Sequence, residues 1–148
     1  MNRLILLLIA AAGTLVSCDA KKSATDAVEA DPASLNGSWE LTYMTRTRQE
    51  VNYLYPDKKP FLSFNTKESK VSGSTGCNSF TGSISSMSDG EIRFDAENLA
   101  MTKMFCEGEG EGVFLQNMKM VDKFNFSDDG KTLHLISGDI DAMRFTKR

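Results

Sequence analysis

The chain has 148 residues, of which 41% are hydrophobic, and its 17 basic and 20 acidic side chains give a net charge of −3. This length is sufficient for one domain with an ordinary hydrophobic core. An acidic balance of this kind does not suggest attraction to nucleic acid or to an anionic membrane surface. We therefore expect a single domain and no nucleic-acid partner.

The N-terminus has the features of an export signal. Arg3 is followed by a largely apolar run of thirteen positions, Leu4 to Val16, which is too short to span a membrane and is typical of a signal peptide. The run ends in Leu15-Val16-Ser17-Cys18, which resembles the bacterial lipobox. We predict that residues 1–17 are a lipoprotein signal peptide and that acylated Cys18 anchors the protein to a membrane. The alternative is an ordinary cleaved signal followed by a chance cysteine.

The predicted anchor implies a location and a division of the chain. The protein is expected in the cell envelope, lipid-anchored, with its domain facing the periplasm or the cell exterior. Residues 18–34 are predicted to be a lipidated N-terminus and flexible tether, because Asp19 to Ser34 contain no aromatic residue and one large aliphatic side chain, Val28. The folded domain is predicted to occupy residues 35–148.

Beyond the tether, apolar and polar residues alternate with the period of half-buried strands. Trp39, Leu41 and Tyr43 are predicted to share one face of the first strand, with Trp39 as its core aromatic. Ser88-Asp89-Gly90 and Asp128-Asp129-Gly130 have the composition of hairpin turns. Further strands are marked by Leu62 and Phe64, Val71, Ile84, Ile92 and Phe94, Phe124 and Phe126, Leu133 and Leu135, and Met143 and Phe145.

One segment, Glu111–Asp122, has helical spacing instead. Its residues Phe114, Leu115, Met118 and Val121 would form one apolar stripe. Because open sheet edges invite aggregation, a chain of short antiparallel strands is expected to curl into a barrel or half-barrel, with the helix covering or plugging it. We predict an α+β, mostly antiparallel β fold: a small curled sheet or half-barrel of seven to eight strands with one helix.

Two ordered signatures lie in the middle of the chain. Residues 73–82 read G-S-T-G-C-N-S-F-T-G and residues 102–106 read T-K-M-F-C. These resemble the G-x-x-G-C-N-x-F-x-G and T-x-M-x-C signatures of the META domain, the family of the heat-shock protein HslJ. The resemblance covers about residues 35–147 and implies a small mixed α/β barrel, but no established activity. The matching positions are Gly73, Gly76, Cys77, Asn78, Phe80, Gly82, Thr102, Met104 and Cys106.

Two cysteines, Cys77 and Cys106, remain once Cys18 is acylated. In an oxidising envelope compartment such a pair is most simply a disulfide, and a separation of 29 positions would stabilise the fold by about 3 to 4 kcal/mol. The alternative is a pair of buried free thiols. A catalytic thiol would need a base, and the one histidine, His134, is predicted to face solvent opposite two leucines.

The remaining candidate residues favour structural roles. Gly73, Gly76 and Gly82 are not followed by the helix and lysine of a phosphate loop, and Asn78 is expected to cap or turn its local backbone. The glutamates of the run 107–112, E-G-E-G-E-G, which departs from the family pattern, lack the ligand spacing of a calcium loop. A Cu(I) site is the alternative to core packing for four methionines: Met101, Met104, Met118 and Met120.

We therefore expect no catalytic residue, no metal, no cofactor and no enzyme activity. The predicted function is that of a lipid-anchored, non-catalytic envelope protein with a binding or maintenance role in envelope stress, acting on an unidentified envelope protein. The alternative is carriage of a small apolar ligand or lipid within the half-barrel, since curled sheets can hold such ligands when side chains do not fill them.

Overall fold

The computed structural model describes residues 30–127 and 129–148. The predicted signal peptide, Cys18 and most of the predicted tether lie outside the described residues, as does Asp128 of the second predicted turn. In the part of the chain that the structure describes, none of the helices is both long enough and apolar enough to cross a bilayer.

In residues 30–127 and 129–148, nine strands and two α-helices form the domain. The helices are α1 (Val51–Leu54) and α2 (Gly110–Met120), and single 3₁₀ turns lie at Pro32–Leu35 and Thr66–Glu68. The strands are β1 (Gly37–Met44), β2 (Phe61–Asn65), β3 (Lys70–Ser74), β4 (Ser79–Ser88), β5 (Glu91–Phe94), β6 (Ala100–Met101), β7 (Lys123–Phe126), β8 (Thr132–Ser137) and β9 (Ile140–Lys147).

The strands close into a barrel. Their order is β3-β2-β1-β9-β8-β7-β5-β4, and β3 also pairs with β4, so eight antiparallel strands form a closed circle with β6 added beside β4. The mostly antiparallel class is confirmed, but the half-barrel is corrected to a closed barrel, and α1 is an additional helix. Closure depends on the pairing of β1 with β9, which lie at opposite ends of the domain sequence. It removes the open edges that a half-barrel would expose.

The predicted hairpin at Asp89-Gly90 joins β4 to β5, with Ser88 opposite Glu91. The shortest strand pairing of the barrel is that of β5 with β7, which meet at one residue pair, Glu91 with Lys123. Helix α2 lies between these two strands in the chain. Ala30 contacts the hairpin turn between β4 and β5, since the Gly90 N–H donates to the Ala30 carbonyl over 3.0 Å. The sequence analysis places Ala30 in the tether. The described fold therefore includes residues that precede Leu35.

A β-bulge changes the predicted face of the first strand. Trp39 and Leu41 are fully buried, but the register of β1 against β9 shifts between Leu41 and Tyr43. The extra residue turns Tyr43 outward, where the Arg144 guanidinium carbon lies 4.3 Å from its ring centre, and turns Met44 inward. The prediction that Tyr43 shares the buried face is wrong, because one inserted residue reverses the alternation for the rest of a strand.

Side chains fill the centre of the molecule. The Trp39 indole N–H donates to the Leu35 carbonyl over 2.7 Å, and its ring lies 5.6 Å from that of Phe126. Phe114 and Met118 of α2 are fully buried, with Phe114 against Phe80 at a centroid distance of 6.2 Å. Helix α2 thus packs on the barrel as predicted. Among the described residues, the largest fully buried side chains are those of Trp39, Phe114, Phe124, Phe145, Leu35, Leu41, Leu62, Ile92, Met118, Leu133, Leu135 and Met143.

Candidate functional site

A disulfide joins the two family signatures. Cys77 lies in the turn between β3 and β4, Cys106 lies in the loop between β6 and α2, and their sulfurs are bonded across a separation of 29 positions. Both cysteines are half-buried. In this oxidised state neither sulfur is a free thiol, so neither can act as a nucleophile or as a thiolate ligand.

Asn78 lies directly beneath the disulfide and is 1% exposed. Its Oδ1 accepts hydrogen bonds from the Thr102 hydroxyl at 2.7 Å and from the Met104 N–H at 2.8 Å. Because a backbone N–H can only donate, this pair of bonds determines which end of the amide carries oxygen. The prediction of a local cap is too narrow, since the Asn78 side chain connects segments more than twenty positions apart.

The other end of the Asn78 amide faces a carboxylate. Nδ2 donates to both Glu111 oxygens, at 3.0 and 3.2 Å, and lies 3.1 Å from Cys106 Sγ. The Thr75 hydroxyl also donates to Glu111 Oε2 and accepts from the Asn78 N–H at 2.9 Å. Glu111 lies in the first turn of α2, where a negative charge is favoured by the helix dipole. Asn78 therefore ties both signatures to the start of the helix.

Tyr55 forms one wall beside this network. Its hydroxyl donates to the Gly110 carbonyl over 2.6 Å, and its ring fits against two glycines. A Cβ atom at Gly76, where φ is +94°, would lie 2.4 Å from the ring, and one at Gly110 would lie 2.9 Å away. Burial, and then the negative charge of Glu111, raise the pKa of Tyr55 well above its ordinary value. Tyr55 is thus held as a neutral hydrogen-bond donor.

These elements surround an open groove of about 790 Å³, which we call the disulfide groove. It is lined by Gln49, by residues 53–58, by Gly76 and Cys77, and by residues 106–111. Large apolar side chains are exposed at or next to the groove: Tyr53, which lines it, is 73% exposed, and Met104 and Phe105, which directly precede the lining residue Cys106, are 59% and 88% exposed. Glu107 and Glu109 on the same loop are also exposed. The site therefore combines an ordered polar floor with an exposed apolar and acidic rim.

The model of the META domain matches residues 33–148 of the chain. The chain belongs to the META domain family. An NMR structure of a protein from Burkholderia xenovorans is similar, with 24% identity over 80% of this chain and 88% of that one and a TM-score of 0.61. A DUF4847 family protein from Bacteroides vulgatus is 11% identical over 77% of this chain and 94% of that one, with a TM-score of 0.51. These structures show the same fold. No curated protein is significantly similar to the chain.

The structure accounts for the other positions of the META signature. A Cβ at Gly73 would lie 2.0 Å from the Phe61 carbonyl oxygen on the neighbouring strand, and one at Gly82 would lie 2.3 Å from Leu99. Phe80 is buried against α2. The glycines therefore permit close packing of strands and side chains, which is the structural role that the sequence predicts.

Several predicted candidates lie away from the groove or remain exposed. His134 is not a free solvated side chain, since its Nδ1 lies 3.0 Å from Asp141 Oδ2, which also accepts from Arg144 at 2.7 Å. Met118 is buried in the core, whereas Met104 and Met120 are exposed. Of the glutamates in the acidic run, Glu111 alone is half-buried in the network.

The sequence analysis missed two residues of the site, Thr75 and Tyr55, and the structural role of a third, Glu111. Thr75 occupies a variable position of the first signature, and Tyr55 lies outside both signatures. The available signal for Glu111 was its place at the first turn of the predicted helix, but its partner Asn78 is 33 positions away. Contacts at such separations leave no periodic trace in a single sequence.

Proposed function

We propose that this protein is a lipid-anchored, non-catalytic component of the cell envelope whose META domain binds another envelope protein at the rim of the disulfide groove. The observation that carries the proposal is the exposure of Phe105 and Met104 beside that groove, at 88% and 59%. Adjacent exposed aromatic and methionine side chains are the residue types that anchor protein–protein contacts.

The backbone that presents these side chains is held on both sides. The Met104 N–H donates to Asn78 Oδ1 at 2.8 Å, and the Thr102 N–H donates to the Ser79 carbonyl at 3.0 Å. Cys106 is bonded to Cys77 immediately after Phe105. A contact surface with a constrained backbone loses less conformational entropy on binding, which favours affinity. This ordering supports a docking role for the loop.

The polar groups of the groove floor support the non-catalytic part of the proposal. The Asn78 amide, the Glu111 carboxylate and the Thr75 hydroxyl are bonded to one another, so they serve the connection between the two signatures. The filled centre of the barrel gives little support to carriage of an apolar ligand, because Trp39, Phe124 and other large side chains occupy that volume. Anchoring by Cys18 would keep the docking surface near envelope partners under stress.

A photocrosslinking experiment in cells tests the docking surface. A photoreactive phenylalanine analogue at position 105 is expected to give one discrete crosslinked protein, whereas the same analogue at Ile140 should give none. Ile140 is a suitable control because it is 60% exposed and is the first residue of β9, which does not line the disulfide groove. Equal crosslinking at both positions, or at neither, would refute the proposed surface.

Two further variants connect the surface and the anchor to function. We expect a deletion strain to be sensitive to envelope stress and Met104→Ser together with Phe105→Ser to reproduce that sensitivity, while Ile140→Ser should not. Cys18→Ser should abolish incorporation of labelled fatty acid into the protein. Fatty-acid labelling that persists in the Cys18→Ser variant would contradict the anchor.

A further inference from the structure

We infer that reduction of the Cys77–Cys106 disulfide creates a binding site for a zinc-type divalent cation, with both thiolates and the Glu111 carboxylate as ligands. In the structure, one ligand atom from each of these three residues lies within 4.8 Å of the other two. This inference does not depend on the proposed docking function. It concerns a second chemical state of the same cysteines.

The charges at the reduced site favour a bound cation. In the oxidised protein the disulfide is neutral, and the Glu111 carboxylate is satisfied by Asn78 and Thr75. After reduction, two groups able to become thiolates would lie beside this carboxylate in a half-buried site. Like charges at such short distances disfavour ionisation, unless a cation is present to neutralise them. A divalent cation would replace mutual repulsion with three attractive bonds.

The mixture of sulfur and oxygen ligands favours a cation of the zinc class. Thiolate sulfur and carboxylate oxygen are both ordinary ligands of Zn²⁺, which takes four ligands in tetrahedral geometry. Three protein ligands would leave the fourth position for water. Hard cations such as Ca²⁺ and Mg²⁺ prefer oxygen alone, and Cu(I) prefers sulfur alone, so the mixed set favours the zinc class.

The hydrogen bonds around the site already position its ligands. The Thr75 hydroxyl and the Asn78 amide already orient the Glu111 carboxylate, and the amide also reaches Cys106 Sγ at 3.1 Å. Donors of this kind around a metal site position the ligands and stabilise their negative charge. Cys77, Cys106 and Glu111 all line the disulfide groove, which provides an access route from solvent.

A dithiol reductant can convert the disulfide into the metal-binding state. The dithiol supplies two electrons and two protons, which convert the disulfide into two thiols, and the reductant itself becomes a disulfide. The cation then displaces both thiol protons to solvent and binds two thiolates and the carboxylate. Because binding releases protons, affinity should rise with pH.

Cobalt binding to the Cys18→Ser chain in mild detergent tests the inference, since its thiols can then come only from Cys77 and Cys106. After reduction with a phosphine and its removal, Co²⁺ should bind with one-to-one stoichiometry and give a thiolate-to-cobalt charge-transfer band, which Zn²⁺ should abolish. The oxidised protein should show neither. Absence of binding after reduction, or equal binding in both states, would overturn the inference.

Substitutions at two glutamates test the third ligand. Glu111→Gln should weaken Co²⁺ binding roughly tenfold or more while the thiolate band persists, because even loss of groups that only support a ligand has that effect. Glu109→Gln is the matched control and should leave affinity unchanged, since Glu109 is exposed on the same loop. Glu111→His should retain binding and shift the visible cobalt bands. Equal affinities for the parent and Glu111→Gln, with circular dichroism showing that the oxidised variant is folded, would remove Glu111 from the site.

Discussion

Replacing Asn78 by aspartate tests the network beneath the disulfide with almost no change in shape. The substitution exchanges the Nδ2 donor, which lies 3.0 Å from Glu111 Oε2, for an oxygen acceptor. Two carboxylates at that distance would repel by about 5 kcal/mol at an effective dielectric constant near 20. The native state can avoid this repulsion by binding one proton, which costs about 4 kcal/mol at pH 7 for a carboxyl with a pKa near 4. We therefore expect Asn78→Asp to destabilise the fold by about 3 to 4 kcal/mol at pH 7.

The sign of the pH dependence follows from the proton count. Repulsion raises the pKa of the carboxyl pair in the folded variant above that of the unfolded chain. Between these two values the folded state binds more protons, so stability decreases as pH rises from about 4 through the raised pKa. The destabilisation by Asn78→Asp should therefore shrink to about 1 kcal/mol or less near pH 4.5.

Urea unfolding followed by fluorescence is a suitable assay, because the chain has one tryptophan, the fully buried Trp39. Adding Glu111→Gln to Asn78→Asp places an amide opposite the new carboxylate, and we expect it to restore at least about half of the lost stability. Measuring Glu111→Gln alone completes a double-mutant cycle, which gives the interaction free energy between positions 78 and 111. A destabilisation that is the same at pH 4.5 and pH 8, and that Glu111→Gln does not relieve, would refute the reasoning.

Three further predictions concern two glycine substitutions and the raised pKa of Tyr55. Gly73→Ala should destabilise the barrel by about 3 kcal/mol or more, because its Cβ would lie 2.0 Å from the Phe61 carbonyl oxygen; no loss in urea unfolding would contradict this. Gly112→Ala should instead stabilise the fold by about 0.5 to 1 kcal/mol, because Gly112 is exposed on α2 and an added Cβ would have no atom within 4 Å apart from its chain neighbours and the local helix backbone. A loss of stability in urea unfolding would contradict this prediction. Burial, then the charge of Glu111, raise the pKa of Tyr55, so the folded state keeps a proton that the unfolded chain loses above about pH 10. Stability should fall with rising pH above that value, and Tyr55→Phe should flatten the slope measured by urea unfolding; an unchanged slope would show that Tyr55 is not its cause.

Local features of the fold could be predicted because they depend on neighbours in the chain. Alternation in β7 and β8 identifies strands, Asp89-Gly90 identifies a hairpin, and the spacing of Phe114 and Met118 identifies helix α2. The two signatures identified the META domain, which the match over residues 33–148 confirms. The boundaries were less well predicted, since α2 begins at Gly110 rather than Glu111 and ends at Met120 rather than Asp122.

The site could be predicted only in part for the same reason. Cys77, Asn78 and Cys106 are visible in the signatures, but the partners of Asn78 depend on how two distant loops meet. Its bonds to Met104 and Glu111 span 26 and 33 positions. Neither spacing follows a helix or strand period, so no sequence pattern indicates which polar residue will satisfy a buried amide.

The sequence by itself determined that this chain carries a META domain of antiparallel strands with a late helix. Only the tertiary structure decided that the strands close into a barrel, that a bulge turns Tyr43 outward, and that Glu111 lies beneath the disulfide. The physical difference is one of range. Periodicity records which face of an element is buried, whereas closure, bulges and the Asn78–Glu111 bond depend on the simultaneous packing of segments that are far apart in the chain.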